Sequence, residues 1–194
     1  MCCDDCHTAI LITDLRGFTA LSHDRSAQEL IALLGEYQSR LVPVIERHGG
    51  SIDKYLGDGI LASFGAIVPN ISYAADLCRA IDKLAATAES WRREREERGL
   101  PAPSVGIAGA VGDIIFGPVG HAARLEYTVI GEVVNLVAKL EKHTKSEGVR
   151  ALTTGETYAL ALDQGYRPAR PAEMLAGRRV EGLTDPVDLV VLAK

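Results

Sequence analysis

No run of about 18 apolar residues occurs anywhere in the 194-residue chain, which excludes a membrane-spanning helix within it. The N-terminus has no basic segment followed by an apolar one, so no secretory leader is expected and a cytoplasmic location is the default. Positive charge is not in excess. The formal net charge of −5 argues against a broad nucleic-acid surface, while leaving room for a local basic pocket that takes phosphate. Cysteine is sparse: of 4 in the chain, Cys2, Cys3 and Cys6 crowd the start and Cys78 stands alone. No downstream Cys-x-x-Cys completes a tetrahedral thiolate site, so residues 1–6 read as a frayed terminus with reduced thiols. Internal repeats, low-complexity segments and composition breaks are also absent. Residues 1–194 therefore read as a single domain, long enough to bury a sizeable core.

What is present alternates strand and helix signals. Ala9 to Ile12 is a short apolar run that ends at Asp14, then Gly17 turns the chain. Ser26 followed by Glu29 forms a capping box for a helix whose apolar positions include Leu30, Leu33, Leu34, Tyr37, Leu41, Val44 and Ile45. Gly49-Gly50 stops it. Gly57-Asp58-Gly59 between apolar runs is a hairpin signal. A long helix over about 72–98 follows, and "LPAP" at 100–103 links it to "SVGIAGAVGDIIFGPVG", which reads as a glycine-rich strand pair. A strand near Glu126–Val129, Gly131 and an apolar helix come next, with strand-like tails at 178–180 and 187–192. Cys78 falls in the long helix as a small core residue. The order implies an α+β fold. We read it as a ferredoxin-like βαββαβ antiparallel sheet with helices on one face, extended by C-terminal strands.

Two aspartates carry the chemical signal: Asp14 at a strand end and Asp58 in the hairpin turn. In a βαββαβ sheet both can reach one sheet edge. Paired carboxylates suit Mg²⁺ or Mn²⁺, whose shell substrate phosphates complete, and two such ions can activate an attacking oxygen and neutralise a leaving pyrophosphate. Gly17, Gly57 and Gly59 would let backbone N–H groups approach phosphate closely. An Asp in an Asp-Gly turn is more often only a turn former, so neither aspartate is specific alone.

Taken in order and spacing, "ITDLRGFT", "DKYLGDGILASFG" and "EYTVIGEVVNLVAKLE" resemble the class III nucleotidyl cyclase catalytic domain over about residues 7–193. No GGDEF-type loop is present, so diguanylate cyclases are a poor match. The resemblance implies an adenylate cyclase that converts ATP to 3′,5′-cyclic AMP and pyrophosphate at a homodimer interface. Asp14 and Asp58 match the family's two metal ligands, with Gly17, Phe18 and Gly57 at the phosphates. Lys54 and Thr128 match the residues that read the purine: an ammonium donor suits the N1 acceptor of adenine, whereas guanine carries a proton there. Lys with Thr places the chain in the adenine-selecting branch, and a guanylate cyclase is the weaker reading. Asn135 matches the asparagine that orients the ribose.

Three departures fall on the phosphate side. Lys139 stands where the family has an arginine that stabilises charge on phosphorus, and lysine offers a point charge instead of a planar fork. No Lys or Arg lies between Arg98 and Arg124, so Ser104 or Gly106 takes the place of a second family arginine. Glu181 replaces the lysine of a C-terminal "V-K-G", leaving Arg178 or Arg179 as substitutes. The alternative is therefore a nucleotide-binding or dimerisation module of the same fold with no catalysis.

Overall fold

The computed structural model describes residues 5–121 and 124–194. The chain runs β1 (Asp5–Leu15), α1 (Phe18–His23), α2 (Ala27–Arg47), β2 (Gly50–Leu56), β3 (Gly59–Phe64), α3 (Tyr73–Glu97), β4 (Val105–His121), β5 (Arg124–Ile130), α4 (Glu132–Ser146), β6 (Ala151–Thr154), α5 (Gly155–Asp163), β7 (Glu173–Arg178) and β8 (Val187–Ala193). The strands order as β2-β3-β1-β4-β6-β8-β7, with β5 paired to β4. β2, β3, β1 and β4 form the expected antiparallel unit, and β4 meets β6 in parallel, which makes the full sheet mixed.

Alternation along β1 decides the layers. Ala9, Leu11 and Leu15 join one buried cluster with Leu33, Tyr37 and Leu41 of α2 and Leu77, Ile81 and Trp91 of α3. Ile10 and Ile12 join a second cluster with Val133, Val137 and Leu140 of α4. The helices are thus not all on one face: α4 covers the side opposite α2 and α3. The glycines of β4 follow from this sandwich. A Cβ on Gly109 would lie 2.7 Å from Leu77 of α3, and one on Gly112 would lie 2.8 Å from Val133 of α4. The expected strand pair over 104–120 is instead one long strand, which pairs first with β1 and then with β5.

Other expectations need correction. The frayed terminus does not reach residue 6, because Asp5 and Cys6 pair with Ile115 and Ile114 in the sheet. Cys2 and Cys3 lie outside the described residues. The strand expected at 178–180 is β7, which ends at Arg178, while Val180 leaves the strand and is buried. α1, β6 and α5 were not expected. The capping box forms as read: Ser26 Oγ accepts from Glu29 N, and Glu29 Oε2 accepts from Ser26 N at 2.9 Å. Cys78 is fully buried, and burial pushes its thiol up to about 12.

The turn from α2 into β2 depends on close packing at Gly50. A Cβ there would meet Ile45 Cγ2 at 2.6 Å and the fully buried Phe64 ring at 2.8 Å. Gly50→Ala is expected to destabilise the fold by about 1–3 kcal/mol, read as a lower midpoint in urea with unchanged slope.

Candidate active site

Asp14 is the penultimate residue of β1, and its sheet partners are Gly59 on β3 and Gly106 on β4. A glycine on each side clears space around the carboxylate; a Cβ on Gly59 would sit 3.2 Å from Asp14 Oδ1. One residue earlier, Thr13 Oγ1 bonds Tyr37 OH at 2.5 Å, pinning α2 beneath the strand end. Asp58 lies in the β2–β3 turn next to Gly57, whose φ of 71° is left-handed. Its charge reaches Asp14: burial first, then Asp58, pushes the Asp14 carboxyl up to about 6. The structure thus brings the two aspartates to one sheet edge. Gly17, with φ 76°, caps α1 directly beyond that edge, and the Phe18 side chain packs partly onto the α2–α3 core.

A third carboxylate belongs to this edge. Glu141 of α4 is 7% exposed, and a Cβ on Gly106 would lie 2.0 Å from its Oε1. Burial, then the Asp14 charge, pushes Glu141 up to about 7, with Arg16 and Lys142 pulling it down. Arg16 is tied back by a bond to Thr144 Oγ1 at 2.8 Å and another to the Val149 carbonyl. Sequence reasoning missed Glu141, although it continues the buried row Val133, Val137 at helical spacing and so was readable as an acid on an apolar stripe.

The remaining site residues open elsewhere. Lys54 Nζ stands 3.9 Å from Glu126 Oε2 of β5, and Thr128 shares that strand face two residues on. Asn135 and Lys139 line a cleft of about 760 Å³ together with Asp113, Thr184 and Asp185. Neither Asp14 nor Asp58 lines it. Lys139 Nζ donates to the Gly182 carbonyl, so it reaches the loop that bears the exposed Glu181. Arg178 is turned away and pairs with Glu147 at 3.2 Å; Arg179 is exposed. Of the two positions expected to lack the arginine, Ser104 precedes β4 and Gly106 has Glu141 filling the space beside it.

Hard oxygen donors whose charges reach one another fit a divalent cation, which would offset the like charge that, after burial, raises Asp14. No group of three or more His, Cys, Asp or Glu that could hold a metal ion occurs among the described residues. A carboxylate pair with glycine turns beside it and a separate cleft bearing an amide and an ammonium thus lie apart within one chain.

Comparison with known proteins identifies the family. The sequence matches the adenylate and guanylate cyclase catalytic domain over residues 4–180, and the chain belongs to that family. It is 30% identical over 164 residues to adenylate cyclase 1 of Rhizobium meliloti (strain 1021), covering 84% of this chain and 25% of that protein. It is 35% identical over 164 residues to an adenylate cyclase of Anabaena cylindrica, covering 79% of this chain and 32% of that protein. The chain thus spans about a quarter to a third of the length of these relatives. Among solved structures, the guanylyl cyclase Cya2 superposes with a TM-score of 0.83 at 28% identity, covering 98% of this chain and 93% of that one. No helix among the described residues is long and apolar enough to cross a membrane.

The raised pKa of Glu141 sets a pH dependence. Its ordinary value is 4.5, against about 7 in the fold. A neutral Glu141 is favoured by folding, so its stabilisation is fully present below pH 4.5 and is lost as pH rises through about 7. In EDTA, Glu141→Gln is expected to raise stability by about 1–3 kcal/mol at pH 8. Urea titrations should show the gain vanishing near pH 4.

Proposed function

We propose that this domain is an adenylate cyclase, converting ATP to 3′,5′-cyclic AMP and pyrophosphate as a homodimer with two equivalent sites. The observation that carries the reading is the division of labour within one chain. Asp14 and Asp58 lie at a sheet edge, whereas Asn135 and Lys139 line a cleft that neither aspartate reaches. A second copy, related by a two-fold axis, would bring the edge of one chain to the cleft of the other. Exposed apolar side chains support such pairing: Tyr55 on β2 and Val119, Leu125 and Tyr127 on the β4–β5 hairpin are each 48–62% exposed.

In this reading, Lys54 donates to adenine N1 and Thr128 completes base recognition. Asn135 fixes the ribose so that the 3′-oxygen faces the α-phosphorus. Gly17, Phe18 and Gly57 hold phosphate oxygens through their backbone N–H groups, and Lys139 offsets charge that develops on phosphorus. Asp14 and Asp58 would hold Mg²⁺ or Mn²⁺, two ions per site, which supply charge neutralisation and a lowered pKa at the attacking hydroxyl.

The test is cyclic AMP production from ATP with Mg²⁺ and with Mn²⁺ across protein concentrations. Specific activity is expected to fall on dilution, and Asp14→Ala should abolish it. Cyclic AMP that survives Asp14→Ala would overturn the metal assignment.

A second reading, a nucleotide-binding module without turnover, draws on Lys139, which is engaged with the Gly182 carbonyl, and on Arg178, which is committed to Glu147. The two readings separate on a repair. Lys139→Arg combined with Glu181→Lys should raise kcat by about 10–10³-fold if the site is a weakened cyclase. No cyclic AMP from wild-type or repaired protein would favour the silent module.

A further inference from the structure

β2 breaks its own alternation at the base-reading position. Ile52 sits opposite Ala62 and Lys54 opposite Leu61, so Asp53 is the additional residue of a bulge. Consecutive strand residues belong on opposite faces. Here they share one. Lys54 projects with Leu61, whose side chain belongs to the α4-side core. The Asp53 carboxyl faces the Ser63 hydroxyl, and Ser63, two residues from Leu61, projects the same way. Bulges beside sites commonly re-aim a side chain in this manner.

The re-aimed acid is in an unusual position. Both Asp53 carboxylate oxygens and Ser63 Oγ are closed off from solvent, and beyond the Ser63 hydroxyl it faces the Asp53 carboxyl meets no hydrogen-bonding group. Ser63 itself is 1% exposed. Burial pushes the Asp53 carboxyl up to about 6, while Ser63 and Lys54 pull it down. A buried carboxyl with a single hydroxyl neighbour is costly, and a state in which it gains a cationic partner offsets that cost.

Lys54 supplies that state. Its pair with Glu126 is loose, at 3.9 Å with side chains 34% and 49% exposed, and solvent screens it. An ammonium that donates to a purine ring nitrogen turns from Glu126 and sheds water. A desolvated charge is stable only beside a counter-charge. Asp53 is the adjacent carboxyl on the same face, and it is already dry.

We propose that Asp53 is a positioning residue for base selection, acting through Lys54 as the counter-charge that holds the ammonium against the purine once Glu126 is displaced. The proposal rests on the nucleotide-binding reading above and extends it to a residue behind the site.

The test is calorimetric binding of α,β-methylene-ATP and of the corresponding GTP analogue to the whole protein with Mn²⁺. Asp53→Asn should weaken the ATP analogue by about tenfold. The GTP analogue should stay within about twofold. The melting temperature should be unchanged or higher, since a costly buried charge is gone. Asp53→Ala serves as a second variant if the amide fails to fold. In a Lys54→Ala background, Asp53→Asn should be silent. An ATP affinity within about twofold of wild type, an equal loss for both analogues, or a loss that persists without Lys54 would each overturn the proposal. Wild-type protein that binds neither analogue would overturn the nucleotide reading itself, and the role of Asp53 with it.

Discussion

Everything at the candidate site depends on holding carboxylates together that repel one another. Asp14, Asp58 and Glu141 raise or are raised by each other's charge, and each sits on a different element: a strand end, a hairpin turn and a helix. A flexible chain would let them part. The sheet prevents it, because Asp14 is locked in register between Gly59 and Gly106. The Thr13–Tyr37 bond fixes the strand end from below. Arg16, anchored on Thr144 and Val149, offsets part of the charge from the side. The hydrophobic layers on both faces supply the stability from which this electrostatic strain is drawn.

The second organising fact is the side on which α4 packs. Because it lies opposite α2 and α3, its buried row meets the sheet at Val133, Val137 and Glu141, while Asn135 and Lys139 face the cleft. One helix therefore touches two places: the carboxylate edge of its own chain through Glu141, and the cleft through Asn135 and Lys139. The close approach that allows this comes from the bare backbone at Gly106 and Gly112, where any side chain would collide with Glu141 or Val133. The glycine-rich character of β4 follows from packing on both faces, more than from turns.

Features set by short-range pattern were legible in the sequence. The strand ending at Asp14, the Gly57-Asp58-Gly59 turn, the Ser26 capping box and the helix carrying Asn135 and Lys139 all depend on neighbours within a few residues. The rest depended on distant partners. Nothing local distinguishes two short strands from one 17-residue strand that changes partners midway, as β4 does. The face taken by α4 follows from how β1 divides its side chains between two cores. The bulge at Asp53 appears only against the register of β3. Glu141 was the one miss with a visible signal, an acid continuing an apolar row. Cys6 shows the opposite error, where composition suggested a loose end and pairing with β4 supplied order.

In the cyclase reading proposed above, the phosphate side of the site differs from the metal side in kind. Asp14 is fixed by sheet register and Asp58 by the tight turn between β2 and β3, but Lys139 reaches its place on a four-carbon stem. Its ammonium has three donors and already gives one to the Gly182 carbonyl, which leaves two for any phosphate. An arginine at this position would bring five donors in a rigid plane and could keep a carbonyl contact while still bridging two phosphoryl oxygens. Arg178 does not make up the difference, since Glu147 holds it at the far end of α4. In that reading, Lys139 retains the charge that would oppose a developing negative centre while losing the geometry that fixes its direction. Because charge survives and orientation is weakened, the loss should fall on the step in which phosphorus changes its bonding more than on nucleotide binding.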